Sequence, residues 1–254
     1  MSAKGRRRSA ARRPLDRALA GGGPAASPAP VWLFDLDNTL HHASRSALPE
    51  VSAAMGHYIR RELGLSPEGA DALRRQYWRR YGATLLGLVK HHGVDAAHFL
   101  HETHRLPDLA GQVHGHAHDL AALRHLPGRK LLLTNAPRDY AMRVLGHLGL
   151  ARFFEAVLSV EDMWMFGDLR PKPDARMLRR LLARLRLPAD RVVLVEDALE
   201  NQKSARAVGL RTVWIQRWTR LSTWGAAAGQ RHSIRPPYVT CRVRALGALR
   251  RRRW

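Results

Sequence analysis

The sequence predicts an α/β fold whose parallel sheet is split by an all-helical insert, and three observations carry this. Short apolar runs at residues 31–36, 130–134, 191–196 and 211–215 have the length and content of buried strands. From residue 130 onward such runs alternate with amphipathic segments of helix length, the order of βαβ units. Between the first run and the second lies a long stretch with helical periodicity and no strand pattern.

Taken in order, residues 1–30 are rich in Arg, Ala, Gly and Pro and lack a period, which predicts a disordered basic arm. Residues 31–36 form the first strand. In the insert, Val51, Met55, Ile59 and Leu63 recur every four residues before Gly64. Ser66-Pro67-Glu68 has the form of a helix cap with proline in the first turn. Further helices are predicted at 84–92, 96–104 and 109–123, separated by Gly93 and Pro107. Then follow a strand at 130–134, a helix at 138–146, a short strand at 156–159 and a helix at 174–185. A strand at 191–196, a helix at 200–208, a strand at 211–215 and an edge strand at 238–243 complete the pattern. The expected division is a core of residues 31–43 and 121–249, a helical cap of 44–120, and a basic tail of 250–254.

Composition narrows the functional classes. The chain has 254 residues, 45% of them hydrophobic and 25% charged, which is ordinary for a packed domain. Its longest apolar runs fall far short of the roughly 18 residues of a membrane span, and residues 1–30 hold no apolar segment of the secretory type. Cys241 is the sole cysteine, which excludes an intrachain disulfide and a cysteine-built zinc site. A cytoplasmic location without membrane association is the expectation. The net charge of +22 is concentrated at the ends: seven cations against one acid in residues 1–18, and ten arginines with no acid in residues 217–254. Such runs are ordinarily solvated, so nucleic-acid binding through the arginine-rich ends is the lesser alternative.

Open parallel sheets bind ligands beyond the carboxyl ends of their strands. Polar residues gather at four such ends: Phe34-Asp35-Leu36-Asp37-Asn38-Thr39, Thr134-Asn135, Arg170-Pro171-Lys172-Pro173 in the loop after Ser159, and Glu196-Asp197. In this order they resemble the four motifs of the haloacid dehalogenase superfamily of phosphohydrolases, a Rossmann-like fold. FDLDNTL (34–40) resembles the first motif, LLLTN (131–135) the second, Lys172 in RPKPD the third and VED (195–197) the fourth. The helical insert is similar to the small cap of that superfamily. The resemblance implies Asp35 as nucleophile and Asp37 as general acid and base. It implies Thr134, Asn135 and Lys172 as phosphate-binding residues. It further implies Mg²⁺ held by Asp35, the Asp37 carbonyl and Asp197. Glu196 is either a ligand or a residue behind the metal, and Asn201 either stands behind the metal or serves the helix surface. Dehalogenases need no acid at the place of Asp37, so its presence points to phosphoryl transfer.

Within the superfamily the chain is most similar to bacterial pyrimidine 5′-nucleotidases, through residues 76–95 of the insert and TNAPRDYAMRVLGHLGL (134–150). That implies a nucleoside monophosphate as substrate. The alternative is another phosphatase or mutase of the same fold, acting on phosphoglycolate or a sugar phosphate. Trp164, Met165 and Phe166 precede Lys172 and are read as packing residues before base contacts. His114, His116 and His118 fall in a predicted helix, where positions two apart diverge, so a metal tract is not expected. His91 and His92 suit a helix end, and His41 and His42 border the first motif.

Overall fold

The computed structural model describes residues 29–218, 234–252 and 254. The expected basic arm lies, up to residue 28, outside the described residues. Six strands form one sheet: β1 (Val31–Phe34), β2 (Arg129–Leu133), β3 (Ala156–Leu158), β6 (Val192–Glu196), β7 (Arg211–Ile215) and β8 (Cys241–Val243). Their order is β3-β2-β1-β6-β7-β8, and every neighbouring pair is parallel. Parallel strands covered on both faces read as continuous apolar runs, which is why these segments were legible.

Alternate residues serve the two faces. Val31, Leu33, Leu131, Leu133, Val192 and Leu194 meet Met177, Leu178 and Leu181 of helix α8 (Ala175–Leu185). Trp32, Phe34, Leu132, Val193 and Val195 form the opposite layer with Tyr140, Ala141, Val144 and Leu145 of α7 (Arg138–His147). Trp32, fully buried, donates its Nε1 hydrogen to the Pro127 carbonyl (2.8 Å) and meets Trp254 edge-on at 5.0 Å. The 3-10 turn Leu246–Arg251 is pinned by its buried Leu246 and Leu249.

Between β1 and β2 lie α1 (Ala47–Leu63), α2 (Pro67–Tyr81), α3 (Thr84–His92), α4 (Ala96–His104), α5 (Leu109–Gln112) and α6 (Ala117–Arg124). Ser66 caps α2 by accepting from Gly69 N (3.1 Å), as its sequence predicts. Tyr58, Ile59, Tyr77, Leu88 and Phe99 of α1–α4 join the apolar cluster on the α8 side of the sheet.

The structure departs from expectation at three places. The helix expected at 109–123 is broken into α5 and α6, because the intervening backbone pairs elsewhere: His42 N donates to His114 O (2.9 Å) and His41 bridges to Gly115. His114 and His116 are thus not helical. The segment before Lys172 contains an unforeseen hairpin, β4 (Trp164–Met165) against β5 (Asp168–Leu169). Its turn residues Phe166 (φ 52°) and Gly167 (φ 86°) are both left-handed, the backbone a two-residue hairpin turn requires, and phenylalanine conceals that signal. The edge strand is confined to Cys241–Val243. Among the described residues no helix is long and apolar enough to cross a membrane.

Gly87 of α3 lies against Tyr77 of α2 so closely that an added Cβ would meet ring carbon Cγ at 2.1 Å. Gly87→Ala is expected to cost about 1–3 kcal/mol in unfolding free energy, read by urea denaturation. An unchanged midpoint would contradict this packing of the two helices.

Candidate active site

All four polar strand ends converge at the carboxyl edge around β1. Asp35 follows β1 directly and its N–H donates to Val195 O (3.0 Å), which continues the pairing with β6 by one residue. The chain then turns through Asn38, left-handed at φ 58°, whose side-chain oxygen accepts from Ser44 N (3.0 Å) and whose amide donates to Ser44 Oγ (2.8 Å). Thr39 Oγ1 donates to Asp35 Oδ2 (2.9 Å). The turn thereby holds the Asp35 carboxylate from below.

Lys172 arrives from the loop after β5 and is 3% exposed. Its ammonium donates to Asp35 Oδ1 and to Glu196 Oε2, both at 2.7 Å. Asn135 fixes the lysine by its backbone, accepting from Lys172 N and donating to Lys172 O, each at 2.9 Å. This side chain is therefore committed to positioning Lys172. Thr134 is buried at the end of β2, where its Oγ1 accepts from Ala136 N (3.0 Å).

The carboxylates of Asp35, Glu196 and Asp197 bring their oxygens within 4.8 Å of one another. Burial first, then the Glu196 charge, raise Asp35 to about 7 against the downward pull of Lys172. Asp197 is raised well above its ordinary value by burial and by the charges of Glu196 and Asp35. Burial opposes the Lys172 charge, yet Asp35 and Glu196 hold its pKa above the ordinary lysine value. One ammonium cannot neutralise three enclosed carboxylates. The site is short of positive charge, and its all-oxygen donor set fits a small hard cation such as Mg²⁺.

Asp37 stands apart from this cluster. Its Oδ1 is 2.9 Å from His41 Nε2 and accepts from the Tyr140 hydroxyl at 2.9 Å. Burial opposes its charge, but the bond and positive potential from His41 and the bond from Tyr140 hold it below the usual carboxylate range. His104, at the end of α4, lies edge-on to Tyr140 (5.7 Å, 71°), and burial lowers its pKa to about 4.

Asp35, Asp37, Thr134, Asn135, Lys172, Glu196 and Asp197 thus lie at one sheet edge. No described hydrogen bond joins Asn201 to them. Its neighbour Gln202, fully buried, donates instead to Glu196 O (2.8 Å) and Val213 O (2.6 Å), tying β6 to β7 beneath the cluster. Tyr140 carried no sequence signal, since it lies 103 residues from Asp37. His41 was marked only as a neighbour of the first motif. Phe166, 88% exposed at the hairpin tip, stands under the Arg180 guanidinium (5.9 Å), whereas Met165 is buried. His91 and His92 bond the hydroxyls of Tyr81 (2.6 Å) and Tyr77 (2.8 Å) within the insert.

Comparison with known proteins bears on this edge. A family model described as haloacid dehalogenase-like hydrolase matches residues 31–209. The chain is 25% identical over 193 residues to Phosphate metabolism protein 8 of Saccharomyces cerevisiae, covering 71% of this chain but only 59% of the yeast protein. It is 28% identical over 197 residues to a phosphoglycolate phosphatase of Rhodospirillum rubrum, covering 71% and 77% of the two chains. The fold is similar to the crystal structure of a HAD phosphatase from Thermococcus onnurineus, with a TM-score of 0.58 at 19% identity, over 88% of this chain and 96% of that one.

The charge shortage has a pH signature in metal-free protein. Asp35 is raised from 3.8 to about 7 on folding, so its contribution favours the fold below about pH 4 and is lost as pH rises through about 7. Between pH 4 and 7 the unaltered protein is expected to lose stability relative to Asp35→Asn by on the order of a few kcal/mol. Urea unfolding in chelator at matched pH reads this difference. Parallel pH profiles would contradict the charge balance.

Proposed function

The chain belongs to the haloacid dehalogenase-like hydrolases, and we propose that it is a magnesium-dependent phosphomonoesterase that works through a phospho-aspartate on Asp35, with pyrimidine nucleoside 5′-monophosphates as substrates. The observation that carries the phosphatase reading is the pairing of Asp35, bound by Lys172, with a second acid, Asp37, held separately by its own hydrogen bonds. A halide leaving group needs no proton, whereas an alkoxide leaving group does.

In this reading an Asp35 oxygen attacks phosphorus and the ester P–O bond breaks. Asp37, ionised in the free site, takes up a proton with the substrate monoanion and delivers it to the departing oxygen, so the alcohol leaves neutral. Asp37 then takes a proton from the water that attacks the phosphorus, and the Asp35–phosphate bond breaks to release inorganic phosphate. Lys172 and Thr134 stabilise the anionic oxygens throughout, and Asn135 keeps Lys172 in register. Asp35, the Asp37 carbonyl and Asp197 would hold Mg²⁺, which would supply positive charge against the phosphoryl group, and Glu196, bonded to Lys172, would stand beside it. The all-oxygen cluster of Asp35, Glu196 and Asp197 supports this assignment.

Selectivity is assigned to the helical insert of residues 44–120, taken as a cap over the leaving group. Gly82, in the turn from α2 to α3, supports this, because a Cβ there would lie 3.3 Å from Pro173 Cδ, beside Lys172. The pyrimidine preference rests on the similarity of residues 76–95 and 134–150 to pyrimidine nucleotidases. A second reading, phosphoglycolate as substrate, is favoured by the Rhodospirillum rubrum relative. A cytoplasmic setting suits either substrate.

Asp35→Asn is expected to abolish turnover, and Asp37→Asn to lower it by about 10²-fold or more. Retained activity in clean Asp35→Asn protein would remove the nucleophile assignment. Mg²⁺ is expected to raise the melting temperature of the unaltered chain, since it binds the folded state alone, and Asp197→Asn to diminish that rise. Equal shifts in the two proteins would place the ion elsewhere. For substrate choice, kcat/KM is expected to favour UMP and CMP over AMP and GMP by more than the modest factor one extra contact supplies. A clear preference for phosphoglycolate would replace the nucleotidase reading with the second one.

A further inference from the structure

Asp37 is held in a way that no other carboxylate of the site is. Two donors, one four residues on and the other 103 residues away, converge on the same oxygen, Oδ1: His41 Nε2 and the Tyr140 hydroxyl, each at 2.9 Å. The Tyr140 hydroxyl donates to Oδ1, and with Nε2 carrying its proton His41 donates to the same oxygen. No described residue donates to Oδ2, and the side chain keeps 21% of its exposure. The carboxylate is pinned at one oxygen and open at the other.

Both pins are rigid. His41 is fully buried, and its backbone is fixed by bridges to Asp37 on one side and Gly115 on the other. Tyr140 is 1% exposed on α7, within the apolar layer that contains Phe34 and Leu36. Its ring is met edge-on by His104 from the last turn of α4, so the helical insert also touches this arrangement. Neither donor belongs to the motif that supplies Asp37 itself. A free carboxylate rotates about its terminal bond with a broad, two-fold preference and exchanges its oxygens. Two donors on one oxygen remove that freedom.

We infer that Tyr140 and His41 are positioning residues that reserve Asp37 Oδ2 for proton exchange with the leaving group and the attacking water. The inference rests on the phosphomonoesterase reading and deepens it, by assigning the orientation of the acid to two residues outside the four strand-end motifs. The bland interpretation is that Asp37 merely satisfies a buried tyrosine hydroxyl. Under it, removing the hydroxyl removes donor and need together and leaves catalysis unchanged.

The two interpretations separate on leaving-group chemistry. Phosphorylation of Asp35 by an alkyl phosphate needs a proton on the leaving oxygen, whereas p-nitrophenolate departs without one. The experiment compares Tyr140→Phe with the unaltered full-length protein in saturating Mg²⁺, using p-nitrophenyl phosphate and the alkyl phosphomonoester that the unaltered chain turns over best. In the variant, kcat/KM for the alkyl ester is expected to fall about tenfold or more, while kcat/KM for p-nitrophenyl phosphate stays within about threefold. His41→Gln, which keeps a side-chain donor, is expected to show the same pattern with a smaller loss. Equal losses on both substrates would show general damage to the site and overturn the inference, as would no loss on either. If Tyr140→Phe fails to fold, the His41→Gln comparison decides by the same criteria. Turnover by the unaltered chain that Asp35→Asn abolishes keeps the phosphatase reading standing whatever these variants do. Absence of turnover removes that reading and the inference with it.

Discussion

The cluster of Asp35, Glu196 and Asp197 at the carboxyl edge depends on one buried ammonium. Lys172 lies 2.7 Å from both Asp35 and Glu196, in a place where an unpaired charge of either sign would be costly to bury. Three elements are arranged to keep it there. Asn135 grips its backbone from the end of β2, the loop after β5 carries it inward, and Glu196 waits at the end of β6. The lysine does not settle the charge of the cluster, since Asp35 and Asp197 remain above their ordinary values. In the proposed phosphomonoesterase this unfinished balance would serve a cation and a phosphate ester together: fixed negative charge for the metal and fixed positive charge for the phosphoryl oxygens.

The sheet makes this convergence possible. β1 lies between β2 and β6, so the residues after those three strands are neighbours although they are far apart in the chain. The insert leaves the core just after β1 and returns just before β2, without interrupting the ladder between them. Its helices reach the apolar clusters of both sheet faces, through Ile59, Leu88 and Phe99 on one and Ala47, Val51 and Leu109 on the other, and its α2–α3 turn lies against the residue after Lys172. A segment so placed is joined to the candidate site by geometry as well as by chain order.

The parts of the site that were legible share one cause. Asp35, Lys172, Glu196 and Asp197 follow strands or sit in strand-adjacent loops, and buried parallel strands are conspicuous as apolar runs. The helices at 84–92 and 96–104 were read with their observed limits, because glycine or an Asp cap bounds them. The failures have two causes. The continuous helix expected at 109–123 was overridden by pairing of residues 114 and 115 with the loop after β1, a contact no local pattern announces. The Phe166-Gly167 turn escaped because a phenylalanine occupies a left-handed position normally marked by Asn or Asp.

By itself, then, the sequence determined the class of fold, the strand ends that bear polar residues and the identity of the acids and the lysine among them. Periodicity and local turn chemistry act over a few residues, and these features are local. Only the tertiary structure decided which oxygen of Asp37 is bound, by whom, and that Asn135 serves Lys172 and Gln202 serves the base of the cluster. These assignments depend on where side chains distant in sequence come to rest once two apolar layers have closed on the sheet. A hydrogen bond between residues 37 and 140 leaves no trace in either local segment, because neither residue needs the other until the sheet and α7 have brought them together.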